Sequence, residues 1–394
     1  MGGMTKIKWV IDAFKLLVGY AVGSLMRSIG SKKDIWLISE RRGEARDNGY
    51  HLFKYIRKNY PEQQVYYVID SKSSDLNKIK ELGNYIHYDS LKHYIFYAVS
   101  SKLVCTHLGS GVPDSPVCWK AEEYGIVNKK RAYIKHGIVK ETLPQHMYHR
   151  TKADLYVCGA KPEYEFVTEK FGYPRGSVKY LGLCRFDELH NYSVKRQILL
   201  MPTWRQWFGL TNKAGRSDSE RSAFLESEYF KRFDSLINNK TLHQLLEKHN
   251  ITLIFYPHHE IQGFLNAFKT NSKNIIVASE KKFDVQQLLK ESALLITDYS
   301  SIAFDFAYMR KPLIYYQFDA DQYFEQHYQK GYFEYEKDGF GPVSTDEDSL
   351  VKEIGKTLLL DMKNRELYLS RINNFFPLFD QNNCERNYKM IQVI

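Results

Sequence analysis

Short apolar runs recur along this chain, each followed by a longer amphipathic stretch, and that alternation constrains the fold more than any other feature. The runs IWLIS (35–39), VYYVID (65–70), LVCT (103–106), AYI (132–134) and LYVC (155–158) read as buried strands. Helical patterns lie between them, among them 48–59, 90–100 and 162–171. Strand and helix at this spacing make βαβ units, whose parallel strands are covered on both faces and are therefore apolar throughout. The pattern pauses in the polar stretch DELHNYSVKRQ (187–197) and then restarts. ILLM (198–201), TLIFY (252–256), NIIVA (274–278), LLIT (294–297) and PLIYY (312–316) follow, with helical patterns at 219–249, 283–292 and 301–309.

A chain of 394 residues exceeds what one hydrophobic core organises. The expectation is an α/β protein with two Rossmann-like domains, 31–190 and 195–370, and a helical segment at 371–394 packing back on the first. Two such domains facing each other across a cleft make the GT-B architecture, in which ligands sit where strand carboxyl ends meet. Residues 1–30 are set apart. Their uncharged part between Lys15 and Arg27 holds eleven residues, too few to span a bilayer as a helix, which takes about 20. Trp9, Phe14, Leu17, Tyr20 and Leu25 share much of one helical face, with Lys6, Lys8, Lys15, Arg27, Lys32 and Lys33 around its ends. That suits either an interfacial helix on anionic headgroups or a helix packed on the protein's own core.

Charge and cysteines narrow the setting. Lys and Arg outnumber Asp and Glu by 56 to 46, a surplus that favours an anionic partner without choosing among nucleic acid, phosphorylated substrate and membrane. Five cysteines without a C-x-x-C pair, three of them in apolar runs, read as reduced thiols of a cytosolic protein.

Four segments place reactive side chains just after strands. In LLITDYSSIAFDFAY (294–308), Ser300 or Ser301 is expected to cap a helix whose N–H groups bind a diphosphate. Asp298 stands at the strand end, and Asp305 is one turn on, within reach of a ribose hydroxyl. In AYIKHG (132–137), His136 projects from a strand end, where an imidazole suits a general base. In ILLMPTWR (198–205), Thr203 and Arg205 follow a strand, the guanidinium able to bridge phosphate oxygens unless it merely stacks on Trp204 or Trp207. TLIFYPHHE (252–260) offers His258, read as a phosphate donor because adjacent residues point apart and no third metal ligand stands at workable spacing. His146 and His149 find no partner for a metal pair, and Asp319-Ala320-Asp321 matches D-x-D too loosely to weigh. Aromatics, 15% of the chain, are spread evenly, which favours core packing over a base-stacking platform.

Taken in order, HG-x-x-x-K (His136 to Lys140), LGLCRFDEL (181–189), ILLMPTWR, Y-P-H, ITDYSSIAFDFAYMRKPLIYY, GYFEYE and GPV resemble the CDP-glycerol glycerophosphotransferase family of wall teichoic acid primases and polymerases. The resemblance implies a GT-B fold, a CDP-glycerol or CDP-ribitol donor, CMP as leaving group and no metal or other cofactor. It also implies an undecaprenyl-diphosphate-linked saccharide acceptor and peripheral attachment to the cytoplasmic face of the membrane. By position, His136 matches the family's catalytic histidine and His258 its second one. Thr203, Arg205, Asp298, Ser300, Ser301 and Asp305 fall on the donor side, Lys140 and Arg185 on the acceptor side. Two other readings are a GT-B nucleotide-sugar enzyme, either a glycosyltransferase or a UDP-sugar 2-epimerase, and a basic polyanion-binding protein without chemistry. The last explains the charge but not four reactive side chains at strand ends.

Overall fold

The structure, a computed structural model, describes residues 2–28, 34–205, 217–326 and 331–394, with the side chains of 2–5, 26–28 and 326 left aside. Trp207, Lys32, Lys33 and the side chain of Arg27 fall outside that description. The chain divides into two compact units. The first comprises residues 1–138, 144–188 and 380–394; the second comprises 139–143 and 189–379.

The first unit is built on seven strands: β1 (Trp36–Ser39), β2 (Val65–Ile69), β3 (Tyr85–His87), β4 (Lys102–Cys105), β5 (Lys130–Tyr133), β6 (Leu155–Cys158) and β7 (Val178–Tyr180). They pair in the order β3-β2-β1-β4-β5-β6-β7, and every pair is parallel. The second unit has β8 (Gln197–Leu200), β9 (Thr252–Phe255), β10 (Ile275–Val277), β11 (Leu294–Thr297), β12 (Leu313–Tyr316) and β13 (Val343–Ser344). Their order is β10-β9-β8-β11-β12-β13, again parallel throughout. The central strands are buried on both faces, which is why they read as unbroken apolar runs. In each sheet the order reverses direction at a central strand, and loops leaving the carboxyl ends there are where such folds bind ligands.

The helical stretch expected at 219–249 is three helices, Asp218–Glu226, Glu228–Ile237 and Lys240–Lys248. Ser227 and Asn239 break it, since each is extended and its side chain accepts from the N–H three residues on. The helix Asn383–Gln392 belongs to the first unit, where Tyr388 stacks on Tyr60 at 4.0 Å and Asp187 accepts from the N–H groups of Asn383 and Cys384. The segment that returns to the first unit thus starts at Asp380, and the helix Glu366–Phe375 stays with the second. All five cysteines are free and buried.

Helix α1 (Gly2–Ser28) packs on the helix Leu91–Val99 through one narrow stripe: Asp12, Leu16, Gly19 and Gly23 are buried. Asp12 accepts from the Tyr94 hydroxyl at 2.9 Å, and a Cβ on Gly19 would come within 2.7 Å of the Tyr94 carbonyl oxygen. Around the cylinder, Ile7, Val10, Ile11, Phe14, Leu17 and Leu25 are exposed. The helix therefore has two apolar faces, and only one is covered by the described residues.

Candidate active site

In the first unit the chemistry gathers after β1, β4 and β5. Lys135, the second residue past β5, has a positive φ of 24° and is fully buried. Its ammonium pairs with the equally buried Glu163 at 2.8 Å and donates to the Gly137 carbonyl at 2.9 Å. Asn48 donates to the Lys135 carbonyl at 2.7 Å, and Arg185 donates to the carbonyl of His136 at 2.5 Å. Residues 135 and 136 are thus held by side chains from elsewhere and 137 by Lys135 itself, with His136 the exposed residue between two buried neighbours. Protein crowded around the ring, with the cations of Arg185, Arg41 and Lys135, pushes its pKa well below the ordinary histidine value. At pH 7 the ring is neutral, the form a base needs.

The support reaches back to β1. Glu40, buried just past that strand, accepts from the N–H groups of Arg46, Asp47 and Tyr50 at 2.7–3.0 Å and so fixes the loop that precedes the helix Asn48–Asn59. Burial, with Asp47 as a second cause, pushes its carboxyl up to about 8. Asp47 in turn pairs with Arg185 at 2.7 Å, and the Asn48 side-chain oxygen accepts from the Arg185 N–H at 3.0 Å. Arg185, expected on the acceptor side, therefore braces the histidine loop. His107, just past β4, lies parallel to His136 with ring centroids 4.8 Å apart and an 8° tilt. His146, set aside in the sequence, is buried with Nδ1 2.9 Å from the Tyr156 hydroxyl.

In the second unit the loops after β8 and β11 are tied together. Asp298, fully buried, accepts from the N–H groups of Thr203 at 2.9 Å and Tyr299 at 2.7 Å. Arg205 was expected to present its guanidinium to phosphate. Instead it is fully buried, paired with Asp298 at 2.8 Å and Asp319 at 2.6 Å, and ringed by Tyr229, Tyr299, Phe318 and Tyr323. Two carboxylates and an aromatic cage hold it as an internal clamp. Asp319, the first residue of the D-x-D, is consumed by the same clamp.

The serines also differ from expectation. Ser301 stands at the N-cap of the helix Ile302–Tyr308 in a helical conformation and makes no side-chain cap, while Ser300 Oγ accepts from the Ile302 N–H at a long 3.5 Å. Asp305, expected to face a ribose, is only 7% exposed and lies with the helix's buried residues. His258 caps the 3₁₀ helix His259–Ala267: its Nδ1 accepts from the Glu260 N–H at 3.3 Å, which leaves the proton of the neutral ring on Nε2. His259 pairs with Glu260 at 3.2 Å, and among the described residues no cluster of three or more His, Cys, Asp or Glu is arranged to hold a metal. Lys140, placed on the acceptor side in the sequence, belongs to the second unit. It is buried beside Glu141 with its ammonium 5.8 Å over the Tyr335 ring, and a side chain on Gly331 would collide with its carbonyl. Burial lowers its pKa to about 7, opposed by the charge of Asp298.

Residues 23–393 match the family model for CDP-glycerol:poly(glycerophosphate) glycerophosphotransferase. The minor teichoic acid biosynthesis protein GgaB of Bacillus subtilis (strain 168) is 32% identical over 370 residues, 92% of this chain and 40% of GgaB. The teichoic acid ribitol-phosphate polymerase TarK of Staphylococcus aureus is 28% identical over 44% of this chain and 34% of its own length. The chain thus spans between a third and two fifths of these two curated relatives. Among solved structures, the wall teichoic acid polymerase TagF aligns over 97% of this chain and 98% of its own at 17% identity and a TM-score of 0.66. A UDP-N-acetylglucosamine 2-epimerase from Listeria monocytogenes aligns over 91% of this chain and 96% of its own at 15% identity, with a TM-score of 0.58. Both likenesses speak to the fold.

Proposed function

The chain belongs to the CDP-glycerol:poly(glycerophosphate) glycerophosphotransferase family, and from that premise we propose that it transfers glycerol phosphate or ribitol phosphate from a CDP-alditol to a hydroxyl of a teichoic acid or related acceptor. What supports this most directly is His136: a neutral imidazole, exposed at the carboxyl end of a central strand, on a loop held by a buried ion pair. In the reaction the acceptor oxygen attacks the phosphorus that carries the alditol. The new O–P bond forms as the bond to CMP breaks, and the acceptor proton passes to His136. His258 Nε2–H, Ser300 and Ser301 are assigned to the phosphate oxygens. Arg205 acts through Asp298, holding the Thr203 and Tyr299 loops in register, and Lys140 moves from the acceptor to the donor set.

Phosphoryl transfer rests on position and electrostatics, and the donors that follow β9 and β11 are the groups given that work here. The acceptor is an undecaprenyl-diphosphate-linked saccharide or polymer, met at the cytoplasmic face of the membrane. There the uncovered apolar face of α1 lies on the lipid and the basic surplus faces anionic headgroups. No described helix is long and apolar enough to cross a membrane.

The test is incubation with radiolabelled CDP-glycerol or CDP-ribitol and a synthetic lipid-linked disaccharide, followed by product sizing. His136→Ala should keep the thermal shift given by CDP and lose turnover by a factor of about 10²–10⁴, the usual worth of a general base. Near-parental turnover would remove the base. A larger thermal shift with UDP than with CDP would favour the nucleotide-sugar reading instead.

A further inference from the structure

His107 carries no motif and has no task in the proposed reaction, yet among the described residues its ring stacks on that of the base. We propose that His107 is a positioning residue for His136, its ring face receiving the positive charge that His136 acquires on taking the acceptor proton. The inference rests on the assignment of His136 as base.

The two imidazoles are parallel, 8° apart in tilt with centroids at 4.8 Å, so a π face and not a ring nitrogen is turned toward His136. A parallel stack does not aim a nitrogen of one ring at the other, whereas a cation over an aromatic face is attracted to it. The orientation is fixed from behind: Thr106, fully buried, places Oγ1 2.9 Å from His107 Nδ1. Burial first, then the charge His136 carries once protonated and that of Arg41, hold the pKa of His107 down at about 3, so its ring stays neutral. The remaining groups facing the base are Arg185, Arg41 and Lys135, with His146 near enough to feel it. All three cations have carboxylates of their own, Asp47 for Arg185, Glu44 for Arg41 and Glu163 for Lys135. All three oppose a new imidazolium. Among the described neighbours, the neutral π face of His107 is one whose attraction appears only as the proton arrives, and an interaction of that kind lowers the barrier without tightening the ground state.

The test compares His107→Ala with His107→Phe in the full chain, assayed with CDP-glycerol and the lipid-linked acceptor. Phe keeps a flat π face but loses the Thr106 contact; Ala loses both. The expected result is a kcat lowered about 3- to 30-fold in His107→Ala at unchanged KM for the donor, with His107→Phe within about 3-fold of the parent. A parental kcat in His107→Ala, or a Phe variant as impaired as Ala while melting with the parent, would overturn the inference. Should the Ala variant not fold, Phe alone decides, any loss beyond about 3-fold counting against. His136→Ala assayed alongside separates the two claims. Its turnover surviving defeats the base itself, whereas a dead His136→Ala beside a fully active His107→Ala defeats only the role of His107.

Discussion

The buried Lys135–Glu163 pair shows how a single residue's position is enforced. Neither side chain touches solvent, and Lys135 is held in a backbone conformation that L residues rarely adopt. Glu163→Gln removes the counterion and strands a buried ammonium, which costs about 3–5 kcal/mol; a urea unfolding curve reads that loss. Turnover should fall further than stability predicts, because the loop carrying His136 loses its anchor. The first unit also holds histidines that burial keeps neutral: His93, lowered to about 4, and His146, lowered to about 3. An unfolded histidine titrates near 6.5. Between that value and the folded ones the unfolded chain binds protons that the fold does not, so stability is intact above about pH 6.5 and falls on acidification. The loss approaches about 1.4 kcal/mol per pH unit for each such group. Unfolding midpoints measured at pH 7 and pH 5 should separate accordingly, and His93→Gln should narrow the gap. Equal midpoints would contradict this. Strand ends were legible at this scale, and they point to His136, His258, Asp298 and Thr203. The Arg205–Asp319 pair was not, since 114 residues separate its members and only the fold brings them together. His107 was missed for a different reason: its partner is a ring face, which leaves no trace in residue spacing.

Elements carry the next level of constraint, and the segment after the helix Val285–Glu291 illustrates it. The ammonium of Lys311, from the KP pair before β12, donates to the carbonyls of Leu289, Lys290 and Ser292 at 2.5–3.0 Å. It closes the carboxyl end of that helix, where the last carbonyls have no partner within the helix. Lys311→Met keeps the buried stem and deletes the donor, so unsatisfied carbonyls should lower stability by about 1–3 kcal/mol. Thermal and urea unfolding would show it, and an unchanged midpoint would mean that water replaces the ammonium. Central strands were legible because double-sided burial writes an unbroken apolar run. The edge strands β3, β7 and β13, two or three residues long, were not. Val343–Ser344 has too few side chains to show any period, and its pairing with β12 is decided by the sheet. The break of 219–249 into three helices was written in Ser227 and Asn239, but serine and asparagine within a helical pattern are ambiguous until the backbone is seen to turn extended there.

For the molecule as a whole, the proposed membrane site of the chemistry turns on α1. The sequence posed membrane contact and internal packing as alternatives for this helix, and the structure shows packing on one face and leaves the opposite apolar face exposed among the described residues. Asp12, Leu16, Gly19 and Gly23 face the protein, and Phe14 and Leu17, 65% and 68% exposed, face away from it. No described residue covers the second apolar face, which has Lys6 beside it and suits an anionic bilayer, while Lys8 and Lys15 donate to the Asp114 and Asp89 carbonyls. Phe14→Glu combined with Leu17→Glu alters only that outer face. Its effect on the unfolding midpoint should stay within about 0.5 kcal/mol. Cosedimentation with vesicles containing anionic phospholipid should drop at least about 10-fold, since each apolar side chain contributes about 1.5–3 kcal/mol when buried. High salt should weaken the parent's binding without abolishing it, because screening removes the lysine contribution and leaves the apolar one. If the double variant sediments like the parent, the chain reaches lipid through some other surface, and the outer face of α1 is not its docking face.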